Sequence, residues 1–215
     1  MPNRPAVTRF CLIRHGETDW NSEKRIQGQI DIDLNAGGRA QARAVAAGLA
    51  GQMFAAAYSS DLRRAWHTAQ IAAAGLGLAV SPAPTLRERH FGVMQGVTSA
   101  EARQQFPEVH QHHQARTPDY DFDTGESLVD FAARVLSGLD EMASRHAGES
   151  VLAFTHGGVL DVVHRAATGR PLDAPRDFTL PNAAFNWVER DDRGWRLISW
   201  ADCRHLQRAL DEIAG

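Results

Sequence analysis

The chain has 215 residues, 43% of them hydrophobic, and a net charge of −3 at pH 7. That length buries one sizeable core and is short for two domains, and the mildly acidic balance argues against a nucleic-acid binder, which carries net basic charge. No apolar run approaches the ~18 residues of a membrane span, the N-terminus lacks a signal-peptide core, and two cysteines, Cys11 and Cys203, make no disulfide framework, so a cytoplasmic protein without membrane contact is expected.

Residues 9–15, RFCLIRH, are nearly continuously apolar and predict a strand covered on both faces. After a turn-rich stretch, GGRAQARAVAAGLAG predicts a helix ending near Gly51. FAAAYSS reads as a second, weaker strand. DLRRAWHTAQIAAAGLG reads as a helix with Ser60 or Asp61 as its N-cap. LAVSPAP is a short strand closed by Pro82 and Pro84. Thr85 to Thr124 is irregular, with one short helix near 98–106. A long helix then runs from about Ser127 to His146, because Leu128, Phe131, Val135, Leu139 and Met142 recur at helical spacing; Gly148 closes it. VLAFTHGGVLDVVHRAATGR repeats the opening pattern of apolar run, histidine, glycine and helix. AAFNWVER and WRLISW flank DDRG as a hairpin, and RHLQRALDEIAG reads as a terminal helix.

Strands alternating with helices predict an α/β fold, a three-layer αβα sandwich on a mostly parallel central sheet. We expect one domain over 1–215 with an insertion at about 93–124 that sets specificity. Ligands of such sheets bind outside the carboxyl ends of the strands. Arg14 and His15 end one strand and His156 ends another, so one sheet edge receives two histidines and an arginine.

Four segments carry chemistry. In LIRHGETDWN the arginine fork suits a phosphate, and the glycine lets backbone N–H groups approach an anion; the competing reading is a strand-end histidine in an ordinary turn. SSDLRRAWHTA puts Arg63 or Arg64 in the first turn of a helix, against the helix dipole, which suggests either another use or plain solvation. LRERHFG sets Glu88 between Arg87 and Arg89, by itself a surface charge cluster. FTHGG again places a histidine before a helix N-terminus. The turn after the first strand is not a Gly-x-Gly-x-x-Gly dinucleotide fingerprint.

Taken in order, RHGETDWN, RIQG, SSDLRRAWHTA, LRERHFGVMQG, TGES and THGG resemble the histidine phosphatase superfamily, which includes cofactor-dependent phosphoglycerate mutases and broad-specificity phosphatases. The motifs cover residues 9 to about 190. The resemblance implies a phosphoglycerate mutase-like fold with neither metal nor cofactor. It implies His15 as the phosphorylated nucleophile, Arg14 and Arg63 as the arginines that hold the phosphoryl group, His156 as a second histidine touching it, and Glu88 as proton donor. Arg64 is the adjacent alternative; the spacing Ser-x-Leu-Arg-x-Ala favours Arg63. Asn21, Gln27 and Gly157 match positions that line the phosphate or substrate pocket, and His90 is a candidate substrate contact.

Phosphoryl transfer needs an in-line nucleophile and neutralisation of the equatorial oxygens. Neutral imidazole splits hydrolysis into two easier steps, and two arginines with a second histidine supply the charge. To act as an acid near neutrality Glu88 must be protonated, which requires surroundings that lift it above the usual ~4.3; Arg87 and Arg89 are therefore expected to point away. HQHHQ (His110, His112, His113) reads as surface histidines, and His67, His146, His164 and His205 as packing or helix-surface residues. The reading is a metal-independent phosphatase of small phosphate monoesters; the alternatives are a phosphoglycerate mutase and a non-catalytic module that docks phosphorylated proteins. A mutase would use extra basic residues in the insertion, where only Arg103 and Arg116 stand, among Asp119, Asp121 and Asp123. Phe106, Tyr120 and Phe122 are candidates for a lid. The partner expected is a small phosphorylated metabolite; homodimer formation is left open.

Overall fold

A computed structural model of the chain describes residues 6–207. The first apolar run becomes β1 (Thr8–Arg14), with Phe10, Cys11, Leu12 and Ile13 fully buried. β2 (Ala56–Ser59), β3 (Val80–Pro82) and β4 (Ser150–Thr155) run parallel to it. β5 (Phe185–Asp191) pairs antiparallel with β1 and β6 (Gly194–Asp202) antiparallel with β5, forming the expected hairpin, in the sheet order β3-β2-β4-β1-β5-β6.

Side chains of β1 alternate between two cores, as the strand period requires. Phe10 and Leu12 pack with Phe131, Val135 and Leu139 of α6 (Leu128–Arg145) and with Val159 and Val163 of α7 (Gly157–Thr168). Cys11 and Ile13 pack on the opposite side with Val45 and Leu49 of α2 (Ala36–Leu49) and Ala69 and Ala72 of α3 (Arg63–Ala73). These are the three layers expected from the alternating pattern. A single turn, α1 (Asp19–Ser22), is closed by a capping box between Thr18 and Asn21. Among the described residues no helix is long and apolar enough to cross a membrane.

The stretch 85–124 departs from expectation. It holds α4 (Ser99–Gln105), capped by Thr98 and Glu101, and also a second helix, α5 (Pro107–Ala115). The sequence hides α5 because it buries only Val109, too little to produce a helical period. Met94, Ala102, Val109 and Phe122 make a satellite core with Phe106 and Tyr120 packed on it, so the three aromatics expected in a lid are structural. The cap of α3 is Leu62, without a side-chain bond, and not Ser60 or Asp61, which are used elsewhere. α6 ends on His146; Gly148, at φ +86°, turns the chain two residues later. The expected terminal helix begins at Arg204 and lies mainly outside the described residues.

Candidate active site

β1 and β4 pair in parallel with Arg14 opposite Thr155, so both end at one edge and deliver His15 and His156 side by side, rings 5.2 Å apart. They adjoin a cavity of about 970 Å³ whose wall includes Arg14, His15, Arg64, Glu88, Arg116 and Arg176.

His15 is buried, and its Nδ1 lies 2.7 Å from the carbonyl of Gly16. A carbonyl only accepts, so Nδ1 carries the proton and Nε2 keeps its lone pair. Burial, then the charges of Arg64 and Arg14, holds the imidazole well below the usual histidine range. It is neutral at neutral pH, the state a nucleophile needs. Asn182, which sequence reasoning missed, donates to the His15 carbonyl at 2.9 Å and steadies the strand end. Gly16 is required for a reason other than the one expected. Its N–H donates to Thr68 Oγ1 at 3.0 Å, so it does not face an anion, and a Cβ there would stand 2.4 Å from the carbonyl oxygen of Gly38 in α2.

The second arginine is Arg64, which corrects the expectation of Arg63. Arg64 is fully buried and lines the cavity; its guanidinium donates to the carbonyls of Gly28 (2.6 Å) and Ile30 (2.9 Å). Arg63 is exposed and outside the cavity wall, with its backbone N–H on Asp31 Oδ1. The helical period explains the exchange: Arg64 and Thr68 share the buried face with Ala65, Ala69 and Ala72, whereas Arg63 points outward. Arg14 is anchored by a bond to the carbonyl of Leu180. The Nε atoms of both arginines are buried without partners, so each has a donor to spare for an oxyanion. Arg64→Met is expected to lower kcat/KM for a phosphate monoester by ~10²–10³, and Arg63→Met by less than about threefold; steady-state kinetics on both variants checks the assignment.

His156 is completely buried, with Nε2 2.8 Å from Ser60 Oγ and Nδ1 unpartnered. Burial, then Arg64, His15 and Arg14, keeps it neutral as well. Gly157 lines the cavity beside Arg14.

Glu88 reaches α7 from the opposite side. One oxygen accepts from the N–H of Arg89 (2.8 Å) and the other from that of Gly158 (2.9 Å). This uses the amide that the sequence suggested for an anion, and it explains the second glycine of THGG: a Cβ on Gly158 would lie 2.0 Å from Glu88 Oε1. Arg87 points away, paired with Asp61. Arg89 belongs to the cavity wall, yet its guanidinium is spent on the carbonyls of Glu126 and Tyr120 and lies 4.5 Å over the Phe122 ring. Arg134, also missed, donates to the carbonyls of Thr85 and Arg87 and pairs with Glu126, bracing the loop that carries Glu88.

Asn21 and Gln27 line the cavity, Gln27 with its buried Oε1 unpartnered. His90 does not: its ring sits against the Gly92 N–H and Gln95, shaping the loop. His113, expected at the surface, is a cavity residue packed on Phe91 and Phe122. Burial, then Arg89, pulls it down to about 4. A histidine depressed in the folded state contributes full stability above its unfolded pKa near ~6.5 and loses it as pH falls toward the folded value. From pH 7 to pH 5 the unfolding free energy should therefore drop by about 2 kcal/mol more in the wild type than in His113→Asn, measured by urea unfolding at both values. Among the described residues no group of three or more His, Cys, Asp or Glu side chains is arranged to hold a metal.

Arg14, His15, Arg64 and Glu88 meet in the wall of one cavity with His156 buried behind His15, an arrangement suited to holding a phosphoryl group against an imidazole. The family model of the histidine phosphatase superfamily (branch 1) matches residues 10–203, and the chain belongs to that superfamily. It is 40% identical over 203 residues to a metal-independent phosphoserine phosphatase of Arabidopsis thaliana, covering 93% of this chain and 84% of that one. It is 38% identical over 201 residues to phosphoglycerate mutase-like protein 4 of the same plant, covering 92% and 86%. The solved structure of Bacillus stearothermophilus YhfR matches with a TM-score of 0.85 at 33% identity, over 93% of this chain and 99% of that one.

Proposed function

We propose that the protein is a phosphatase that hydrolyses small phosphate monoesters through a phosphohistidine on His15, without a metal ion. The observation that carries this is the neutral His15, its Nδ1 proton committed to Gly16 and its Nε2 lone pair free beside Arg14 and Arg64. Nε2 attacks phosphorus as the ester P–O bond breaks, and the departing oxygen takes the proton of Glu88. Water then attacks the phosphohistidine and gives its proton back to the Glu88 carboxylate; phosphate leaves and His15 returns neutral. Arg14, Arg64 and His156 hold the equatorial oxygens as charge shifts in both steps. Selectivity would come from the insertion, which adds His113, Gln114 and Arg116 to the wall.

The relative named as phosphoglycerate mutase-like supports a second reading, phosphoryl transfer between 2- and 3-phosphoglycerate. Against it, Arg103 is exposed and outside the cavity wall, leaving Arg116 as the single arginine of the stretch 97–125 that lines it. The test is a panel of phosphorylated metabolites, 3-phosphoglycerate included, assayed after exhaustive chelation for phosphate release and isomerisation in parallel. Phosphate release that survives the chelator and outpaces isomerisation is expected. Faster isomerisation would establish the mutase, and loss restored by one divalent ion would overturn metal independence.

A further inference from the structure

The cavity wall holds six arginines, Arg14, Arg25, Arg64, Arg89, Arg116 and Arg176, against two carboxylates, Glu88 and Asp161. Arg14 and Arg64 belong to the phosphoryl end. Of the other four, three are committed. Arg25 pairs with Glu23 and Glu101, Arg89 is spent on two carbonyls, and Arg116 donates to Asp161 Oδ2 at 2.6 Å and to the carbonyl of Leu172. Arg176 is different. Its one ion pair among the described residues is a 3.9 Å approach to Asp161 Oδ1, beyond hydrogen-bond distance. Asp161 is already served by Arg116 and by Arg165, whose Nε stands 2.8 Å from Oδ2.

The segment carrying Arg176 is nevertheless fixed. Phe178 stacks on His164 with centroids 3.6 Å apart, Trp200 meets His164 edge-on, and Trp200 Nε1 donates to the carbonyl of Thr179. Arg116 ties down Leu172, and Asp177 pairs with Arg170. Arg176 is thus an uncommitted cation on an anchored loop. Its charge acts on Arg14, at the phosphoryl end, and on His113, in the insertion.

We infer that Arg176 is a specificity residue that binds a carboxylate borne by the substrate a few atoms from its phosphoryl group. The inference rests on the phosphatase reading and adds to it the class of ester: phosphorylated hydroxy or amino acids, in preference to esters without a second anion. A guanidinium suits a carboxylate because its fork donates two parallel bonds, and at the cavity mouth it can do so while the phosphoryl group lies on Arg14 and Arg64.

O-phosphoserine and O-phosphoethanolamine differ only by the α-carboxylate, so their ratio of kcat/KM isolates it. The wild type should favour phosphoserine, and Arg176→Gln should cut that ratio by roughly 10- to 100-fold, the scale of a lost charge-assisted bond. Arg176→Lys, which keeps the charge and loses the fork, should restore part of it. A role confined to holding the loop would slow both esters alike and leave the ratio in place; that result, or a wild type that favours phosphoethanolamine, overturns the inference while the phosphatase reading stands. A wild type that releases phosphate from no ester overturns both.

Discussion

His15→Ala is expected to abolish steady-state turnover and the acid-labile phosphoenzyme together. With the covalent route gone, only the electrostatics of the cradle remain, and deletion of a covalent nucleophile costs on the order of 10⁵–10⁶ in kcat. His156 is the one neighbour that shares its chemistry, at 5.2 Å between rings, but its Nε2 is engaged with Ser60 Oγ and its ring is wholly buried. The ring also lies outside the cavity wall that His15 lines. The measurement is acid-labile label trapped from a radiolabelled monoester under single-turnover conditions. Unchanged stoichiometry in the variant would transfer the nucleophile to His156.

Glu88→Gln should discriminate between leaving groups. General acid catalysis is worth ~10²–10⁴, and it matters when an alkoxide departs, as from phosphoserine or glycerol phosphate. A nitrophenolate leaves unaided. The structure adds a complication: the carboxylate accepts from two backbone N–H groups, of Arg89 and Gly158, and an amide can satisfy only one. Part of the loss will therefore come from a disturbed α7 N-terminus. That part is common to every substrate, so the difference between alkyl and aryl esters still reports the proton. Phosphorylation by the alkyl ester should slow at least ~10²-fold more than phosphorylation by p-nitrophenyl phosphate. Equal slowing would leave Glu88 a bracing residue and remove it as the acid.

Elements that rest on a strong local period were readable in advance. The continuous run of β1, the repeat of strand, histidine and glycine at β4, and the Leu128-to-Met142 stripe of α6 each bury what their pattern demands. The strand-end positions of Arg14, His15 and His156 follow from those elements. What escaped depends on contacts distant in sequence. Asn182 matters because it meets His15 from 167 residues away, and Arg134 because it bonds to carbonyls 47 and 49 residues earlier. His113 became a cavity residue through α5, a helix with almost no apolar face. The choice between Arg63 and Arg64 is another kind of miss, since the alanines of α3 already marked the buried face.

Arg14 and Arg64 rest on carbonyl oxygens, and neither forms an ion pair among the described residues. Burial lowers the pKa of both, Arg64 to about 10, and a guanidinium stays protonated at neutral pH. Two like charges enclosed without a direct counter-ion oppose folding, and the rest of the structure must outweigh them. An oxyanion supplies the missing counter-charge, so ligand binding and global unfolding are thermodynamically coupled through this one spot. Phosphate or vanadate at a hundred times its Kd should raise the unfolding free energy by about 2.7 kcal/mol, read as a rise in Tm. Arg64→Met, with one charge fewer to neutralise, should lose most of that rise at the same concentration. The chain's resistance to heat would then report how full its cradle is.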